Sequence, residues 1–380
     1  MAHLSFWEKN SFLNYDFIII GAGILGLSTA CEIKERNPKR TVLILEKGIL
    51  PSGASTKNAG FACFGSPTEI LSDIKRIGKS DTIDLVRKRF EGINILRKRL
   101  GDENIGFLNY GGYELIDNKN LAVLDEINFV NEAVQNIFGE NTFELKSERI
   151  DEFGFDASNV SELIYSRFES QIDTGLMMAS LISYAAALGV RIINGCEAGD
   201  IGEKENFVRV TANKNSDKEK IYFDCKTVII CTNAFTNKLF PEFKVTPGRG
   251  QVIITKPLQH LKFKGVFHFD EGYYYFRNFE NRVIFGGGRN IDFENETTTA
   301  FESNEKILDA LSDKLSTIIL PGQKHEIDYS WSGIMGFNDL KKPEIRKFTD
   351  RIIAALSCNG MGIALSSFIA KEITEKIPSI

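Results

Sequence analysis

Histidine is scarce in this chain, with four residues (His3, His260, His268 and His325) among 380. No two of them share a helical ligand spacing, so a metal site built on histidine is not expected. The six cysteines, Cys31, Cys63, Cys196, Cys225, Cys231 and Cys358, are widely scattered and form no C-x-x-C pair. That excludes a zinc ribbon or a disulfide framework and fits reduced thiols in a cytoplasmic protein. Excess positive charge is also missing. The net charge of −5 gives no global field toward nucleic acid or an anionic membrane. No long hydrophobic run occurs either. The longest mostly apolar stretch, Leu176 to Leu188, is too short and too polar to span a bilayer. The opening residues MAHLSFWEKNSF lack a basic segment followed by an apolar one, so no signal peptide is expected.

What is present suits a globular protein of two domains. The length is 380 residues, with 43% hydrophobic and 26% charged side chains. Phe17 to Ile20 reads as a strand buried on both faces, Ile24 to Glu35 as a helix stopped near Pro38, and Thr41 to Glu46 as a second strand. Pro51 to Ser66 is a loop by composition. Asp81 to Leu100 is an amphipathic helix, with Val86, Phe90, Ile93, Leu96 and Leu100 on one side. Leu176 to Leu188 is a further helix. Strands are expected at Val190–Asn194, Phe207–Thr211, Ile221–Phe223 and Thr227–Thr232, with a hairpin turn over Asn213–Lys220. Gly250 to Phe285 is rich in β-branched and aromatic residues and predicts an antiparallel sheet. A strand at Arg351–Ser357 and a helix from Ile363 to Ile377 return the chain to α/β style.

The sharpest motif is Gly21-Ala22-Gly23-Ile24-Leu25-Gly26, set between the first strand and the first helix. In such a turn the first glycine permits the sharp bend, the second lets a pyrophosphate approach the backbone, and the third lets helix pack on strand. Free N–H groups at the helix start then face phosphate. Glu46, twenty residues after Gly26, stands where a carboxylate accepts both ribose hydroxyls of an adenosine. It would repel a 2′-phosphate, which argues against NADP. Leu27 holds the position where a P-loop needs lysine.

The turn alone does not separate FAD from NAD. Four further segments resemble the D-amino-acid oxidase (DAO) family of flavoproteins. Gly53-Ala54-Ser55-Thr56-Lys57-Asn58-Ala59-Gly60 looks like the family's loop after the second strand. Pro247-Gly248-Arg249-Gly250-Gln251-Val252 is similar to its entry into the substrate domain. Trp331-Ser332-Gly333 with Pro343-Glu344-Ile345, and Ser357-Cys358-Asn359-Gly360-Met361-Gly362-Ile363, resemble its C-terminal segments. The resemblance implies FAD as cofactor, with further contacts at Lys47, Cys196, Glu197, Cys231, Thr232 and Asn233. A glycine turn at Gly360 and Gly362 would aim helix N–H groups at the flavin edge that becomes negative on reduction.

On the substrate side, Gly272 to Arg277 reads as a strand, so Tyr273, Tyr275 and Arg277 share one face. Two phenols and a guanidinium suit an acidic group, and the family places a tyrosine and an arginine on the corresponding strand. Arg249 is a second candidate cation, with a structural ion pair as the competing role. Lys57 would bind substrate or assist oxygen reduction, or else face solvent. His268, a lone histidine before the tyrosine strand, reads as structural. The chain departs from the family at Ile334-Met335-Gly336, where glycine and D-amino-acid oxidases resemble W-x-G-x-R-P and grip a carboxylate with the arginine. Lys57 and Phe337-Asn338 stand where some relatives attach flavin covalently through histidine or cysteine, so non-covalent FAD is expected.

The expected fold is α/β: a Rossmann-like FAD domain with a discontinuous second domain built on a largely antiparallel sheet. Residues 1–80, 145–245 and 332–380 are assigned to the FAD domain, and 81–144 and 246–331 to the substrate domain. The resemblance implies oxidation of a small amine or amino acid by hydride transfer to flavin N5, followed by imine hydrolysis. The alternatives are a 2-hydroxy-acid dehydrogenase, a non-catalytic or RNA-modification flavoprotein subunit, and an NAD-only dehydrogenase.

Overall fold

The computed structural model describes residues 4–214, 220–356 and 358–377. Its first layer is a sheet ordered Glu344–Lys347, Ile352–Leu356, Lys220–Ile230, Asn14–Ile20, Val42–Leu45 and Arg191–Ile193, with Val208–Lys214 paired to Lys220–Ile230 and Cys196–Glu203 paired in turn to Val208–Lys214. The central pairs run parallel: Ile18 lies opposite both Val228 and Leu43, and Ile229 opposite Ile353. A parallel centre needs cover on both faces. One face packs against the helices Ile24–Arg36, Lys79–Leu100, Thr174–Ala187 and Gly362–Glu375. The other meets the Val208–Lys214 strand and the Phe243 and Val245 side chains. The near-continuous apolar reading of Phe17 to Ile20 follows from this double burial.

The second layer is a sheet ordered Ile327–Phe337, Thr246–Thr255, Arg282–Gly287, Tyr274–Phe279, Val266–Phe269, Gly112–Ile116, Glu162–Ser166 and Glu144–Leu145. All its pairs are antiparallel except Val266–Phe269 against Gly112–Ile116. One face carries a phenylalanine-rich core of Phe153, Phe155, Phe263, Phe267, Phe276 and Phe285, closed by the helix Glu305–Lys314. Side chains alternate along the strands. Tyr274 therefore joins that core while Tyr275 faces the first layer.

Several boundaries differ from the sequence reading. The expected strands Ile221–Phe223 and Thr227–Thr232 are one strand, Lys220–Ile230. Its first half pairs with Val208–Lys214 and its second half with the parallel centre, so polar Asp224 and Lys226 sit inside a continuous strand. The expected turn over Asn213–Lys220 has Asn213 opposite Lys220, and residues 215–219 lie outside the described ones. The helix Lys79–Leu100, assigned to the substrate domain, packs in the core of the first layer through Leu85, Ile93, Leu96 and Leu100. The strands Glu144–Leu145 and Glu162–Ser166, assigned to the FAD domain, belong to the second sheet. The boundary at 332 cuts through the strand Ile327–Phe337. Amphipathic spacing says which side of a helix is buried, not what buries it.

The C-terminal helix is fixed by close contact with Lys79–Leu100. A Cβ on Gly92 would stand 2.0 Å from the carbonyl oxygen of Ala364, so the two helices cross at backbone distance. Gly92→Ala should destabilise the fold by about 2 kcal/mol in urea unfolding, as overpacking does. A loss well under 1 kcal/mol would show that the crossing can widen freely.

Candidate active site

Two helix N-termini open onto one cavity of about 640 Å3 between the layers. The first belongs to Ile24–Arg36, capped by Gly23. Gly21 has φ +101°, a conformation that favours glycine. A Cβ on Gly26 would lie 2.0 Å from the Gly21 carbonyl oxygen, so the turn closes only with glycine there. Glu46 braces the same turn: its carboxylate accepts from Ala22 N–H and Gly48 N–H, each at 2.9 Å. The second N-terminus belongs to Gly362–Glu375, reached through Asn359 and Gly360, both at positive φ. First-turn N–H groups of a helix have no intrahelical acceptor, and both sets lie beside the cavity.

The loop between the two turns is ordered by its own hydrogen bonds. Asn58 donates to the carbonyl of Ser55 at 2.8 Å and accepts from Gly60 N–H and from the Thr174 hydroxyl. Ser55 Oγ accepts from Ile24 N–H at 2.9 Å. Trp331 Nε1 donates to the carbonyl of Lys57 at 2.9 Å. Of the sequence-derived cofactor residues, Gly23, Ile24, Leu25, Ala54, Ser55, Lys57, Asn58, Ala59, Cys231, Asn233, Gly333, Asn359, Gly360, Met361, Gly362 and Ile363 line the cavity. Gly21, Gly26, Glu46, Gly53, Gly60 and Thr232 are not among the residues that line it. Lys47 is exposed, with its ammonium 4.0 Å from the centre of the Phe235 ring. Cys196 and Glu197 begin the strand Cys196–Glu203 and do not line the cavity.

The model of the DAO family, FAD dependent oxidoreductase, matches residues 16–376. The chain belongs to this family. It is 25% identical, over 95% of this chain and 82% of the relative, to the probable oxidoreductase OrdL of Haemophilus influenzae. Among solved structures, L-proline dehydrogenase from P. horikoshii aligns with a TM-score of 0.78 at 18% identity, covering 96% of this chain and 94% of that one. Glycine oxidase from Geobacillus kaustophilus also gives 0.78 at 18% identity, covering 96% and 95%. The sequence-derived family and fold class therefore stand, and the chain is an enzyme rather than a non-catalytic subunit. Among the described residues no helix is long and apolar enough to cross a membrane.

The cavity fits the DAO-family cofactor. Its volume is in the range of cofactor sites, and it runs without interruption from the first glycine turn through the Ala54–Ala59 loop to the second. A Cβ at Gly362, which lines the cavity, would meet nothing within 4 Å, so open space lies beside it. Two positive helix ends suit phosphate and a ring edge that gains charge.

The substrate face needs a correction. Tyr273 and Tyr275 line the cavity, but Arg277 does not. It shares their strand face, as the spacing requires, yet the Ala59–Gly60 backbone and Ile172 roof it over. Its guanidinium donates to the carbonyls of Ala59, Ile172 and Asn278. Burial lowers its pKa to about 10, so it stays charged. Arg249 takes the structural role: it pairs with buried Glu296 at 2.7 Å. Three guanidinium groups do line the cavity, those of Arg76, Arg89 and Arg289, and the sequence reading missed all three. For Arg289 the signal was its place directly after Gly286-Gly287-Gly288, at the end of the strand hairpin.

His268 is buried and lines the cavity, edge-on to Phe61 at 5.2 Å. Its Nε2 lies 3.4 Å from Glu169 Oε2, an ion-pair distance without hydrogen-bond geometry. Donor atoms of Cys63, Glu169 and His268 come within 4.8 Å of one another, the one such grouping among the described residues. Burial, then the charge of Glu169, pushes the Cys63 thiol well above its usual value. Burial lowers the His268 pKa, but Glu169, Glu69 and Glu114 outweigh it and bring it to about 8. Glu114 is raised by burial to about 7, partly offset by hydrogen bonds from Thr68 and Ser66.

Two predictions follow from this geometry. Arg277→Ala leaves three buried carbonyls without their donor and should cost about 3 kcal/mol, read by urea unfolding, with loss of bound flavin as the Ala59 loop loosens. Wild-type stability and flavin content in Arg277→Ala would place the residue back on the substrate side. Both raised groups favour the protonated state on folding, so stability should fall as pH rises. The Glu114 contribution is complete below about pH 4.5 and lost through about 7. The His268 contribution is complete below about pH 6.5 and lost through about 8, a span worth roughly 2 kcal/mol. In melting temperature against pH, His268→Asn should flatten the upper window and Glu114→Gln the lower. An unchanged profile in both variants would remove these groups as the cause.

Proposed function

We propose that this enzyme oxidises the C–N bond of a small amine or amino acid, with FAD held non-covalently. The observation that carries the reading is the single cavity joining both glycine turns to the tyrosine face of the second sheet. Two of its structural neighbours are named for L-proline and glycine, both of which carry such a bond. Non-covalent attachment is supported by Lys57 and Phe337-Asn338 at the positions where relatives carry linking residues.

The chain's own residues bind, orient and dry the substrate. Phe61, Val252, Tyr275 and Met335 give the pocket an apolar wall, which favours entry of the neutral amine. Burial pushes the Tyr275 phenol up to about 12, so it stays protonated and can donate a hydrogen bond. Lys57 brings an ammonium, 5.3 Å from the centre of the Phe301 ring, on the cofactor loop. The flavin, when bound, supplies the acceptor for a hydride from the carbon bearing nitrogen. The imine left behind hydrolyses to a carbonyl compound and ammonia or an amine. No strong base is required if the amine enters neutral, and alignment carries the catalysis.

The test is spectroscopic. Purified protein should show flavin bands, and acid precipitation should leave the colour in the supernatant. Anaerobic titration with a panel of amines, amino acids and 2-hydroxy acids should bleach the flavin with an amine or amino acid. Bleaching by 2-hydroxy acids alone would overturn the reading in favour of the dehydrogenase alternative.

A further inference from the structure

We propose that Arg289 is the anion anchor of the substrate pocket and that the amine oxidised there carries a carboxylate. The inference rests on the amine-oxidising reading above. Five of the other arginine and lysine side chains in and around the cavity are committed to the protein, while Lys57, which also lines it, makes no ion pair among the described residues and lies with its ammonium 5.3 Å from the centre of the Phe301 ring, a single flexible charge without a planar donor edge. Arg76 donates to the carbonyl of Asp339 at 2.9 Å. Arg89 donates to the carbonyl of Phe64, and Lys341 pairs with Asp73 at 3.1 Å. Arg249 and Arg277 are bound as described above. Arg289 lines the cavity, yet its side chain makes no hydrogen bond or ion pair with any described residue, and its buried Nε is left without an acceptor. The nearby Glu296 carboxylate is already held by Arg249, Gln251 and Asn304.

The side chain is nevertheless held in place. Its guanidinium carbon lies 4.3 Å from the centre of the Phe337 ring and 5.1 Å from that of Phe293. Aromatic contact of this kind fixes a guanidinium while leaving its N–H edge free. The strand beneath has been cleared for it. A Cβ on Gly248 would stand 2.7 Å from the Arg289 guanidinium carbon and 2.5 Å from the Phe337 ring. Gly248 pairs with Met335, the position where relatives resembling W-x-G-x-R-P supply the arginine. The cation therefore comes to the same wall from the turn after Arg282–Gly287 instead of from the strand Ile327–Phe337. A planar donor edge, bounded by aromatic and thioether surface, matches a carboxylate through two parallel hydrogen bonds.

Benzoate, a carboxylate without an amine, tests this without turnover. It should perturb the flavin absorbance of the holoenzyme, and Arg289→Gln should weaken its binding about 100-fold. Arg289→Lys should recover part of the loss, because an ammonium cannot form the paired contact. Melting temperature and flavin content should match wild type, since the side chain supports no protein hydrogen bond. In the wild-type enzyme, the best amino-acid substrate should bleach the flavin at far lower concentration than its uncharged amide. The proposal is overturned if Arg289→Gln binds benzoate as wild type does, if wild type shows no benzoate response, or if acid and amide bleach alike. Failure of every amine to bleach the flavin would instead count against the functional reading, while the benzoate titration would still report on Arg289.

Discussion

The Arg277 guanidinium is desolvated, and among the described residues no carboxylate forms an ion pair with it, yet it stays charged because three carbonyl dipoles replace water around it. Those carbonyls belong to the cofactor loop, to the segment before the helix Thr174–Ala187, and to its own strand in the second sheet. One side chain thus ties the layers together at the edge of the cavity. Gly60 shows how tight the tie is. It has φ +80°, and a Cβ there would come within 2.7 Å of the guanidinium and 2.4 Å of the Ile172 carbonyl oxygen. Removing the charge would leave the carbonyls unsatisfied, which costs more than the net worth of the hydrogen bonds themselves.

From that tie a line of contacts runs back to the first layer. Ala59 is held by Arg277, Asn58 by Ser55, Gly60 and Thr174, and Ser55 holds the first N–H of the helix Ile24–Arg36. A stretch rich in serine, glycine and alanine is thereby rigid, although composition describes it as loop. Its small side chains leave room beside it, and its hydrogen bonds keep that room from collapsing. The second sheet contributes the opposite wall with equal economy: Gly248, Gly250 and Gly286 present bare backbone against which Arg289, Met335 and Tyr275 lie.

The parts legible in the sequence were those written in local pattern. The βαβ unit, the second glycine turn and the antiparallel character of Gly250 to Phe285 all follow from spacing and residue type. What escaped was long-range. Tyr275 and Arg277 do share a face, but alternation along a strand cannot tell that a loop more than 200 residues earlier covers one of them and leaves the other open. Likewise the periodicity of Asp81 to Leu100 gave a helix without revealing that it packs on the C-terminal one. Arg289 was overlooked because a cation after a glycine run carries no pattern of its own. It becomes conspicuous only when the other guanidinium groups around the cavity are seen to be engaged by the protein.

Glu46 carries a different consequence. Its carboxylate already clasps the N–H groups of Ala22 and Gly48, so the start of the glycine turn is tied by the protein itself to the segment after the second strand. A binding turn that is set in advance spares its ligand the entropy of ordering it. It also means that the polypeptide does not need its coenzyme as a folding template at this end. Stripping and reloading the prosthetic group then becomes an ordinary binding equilibrium, in which the holoprotein gains thermal resistance by mass action as free coenzyme rises.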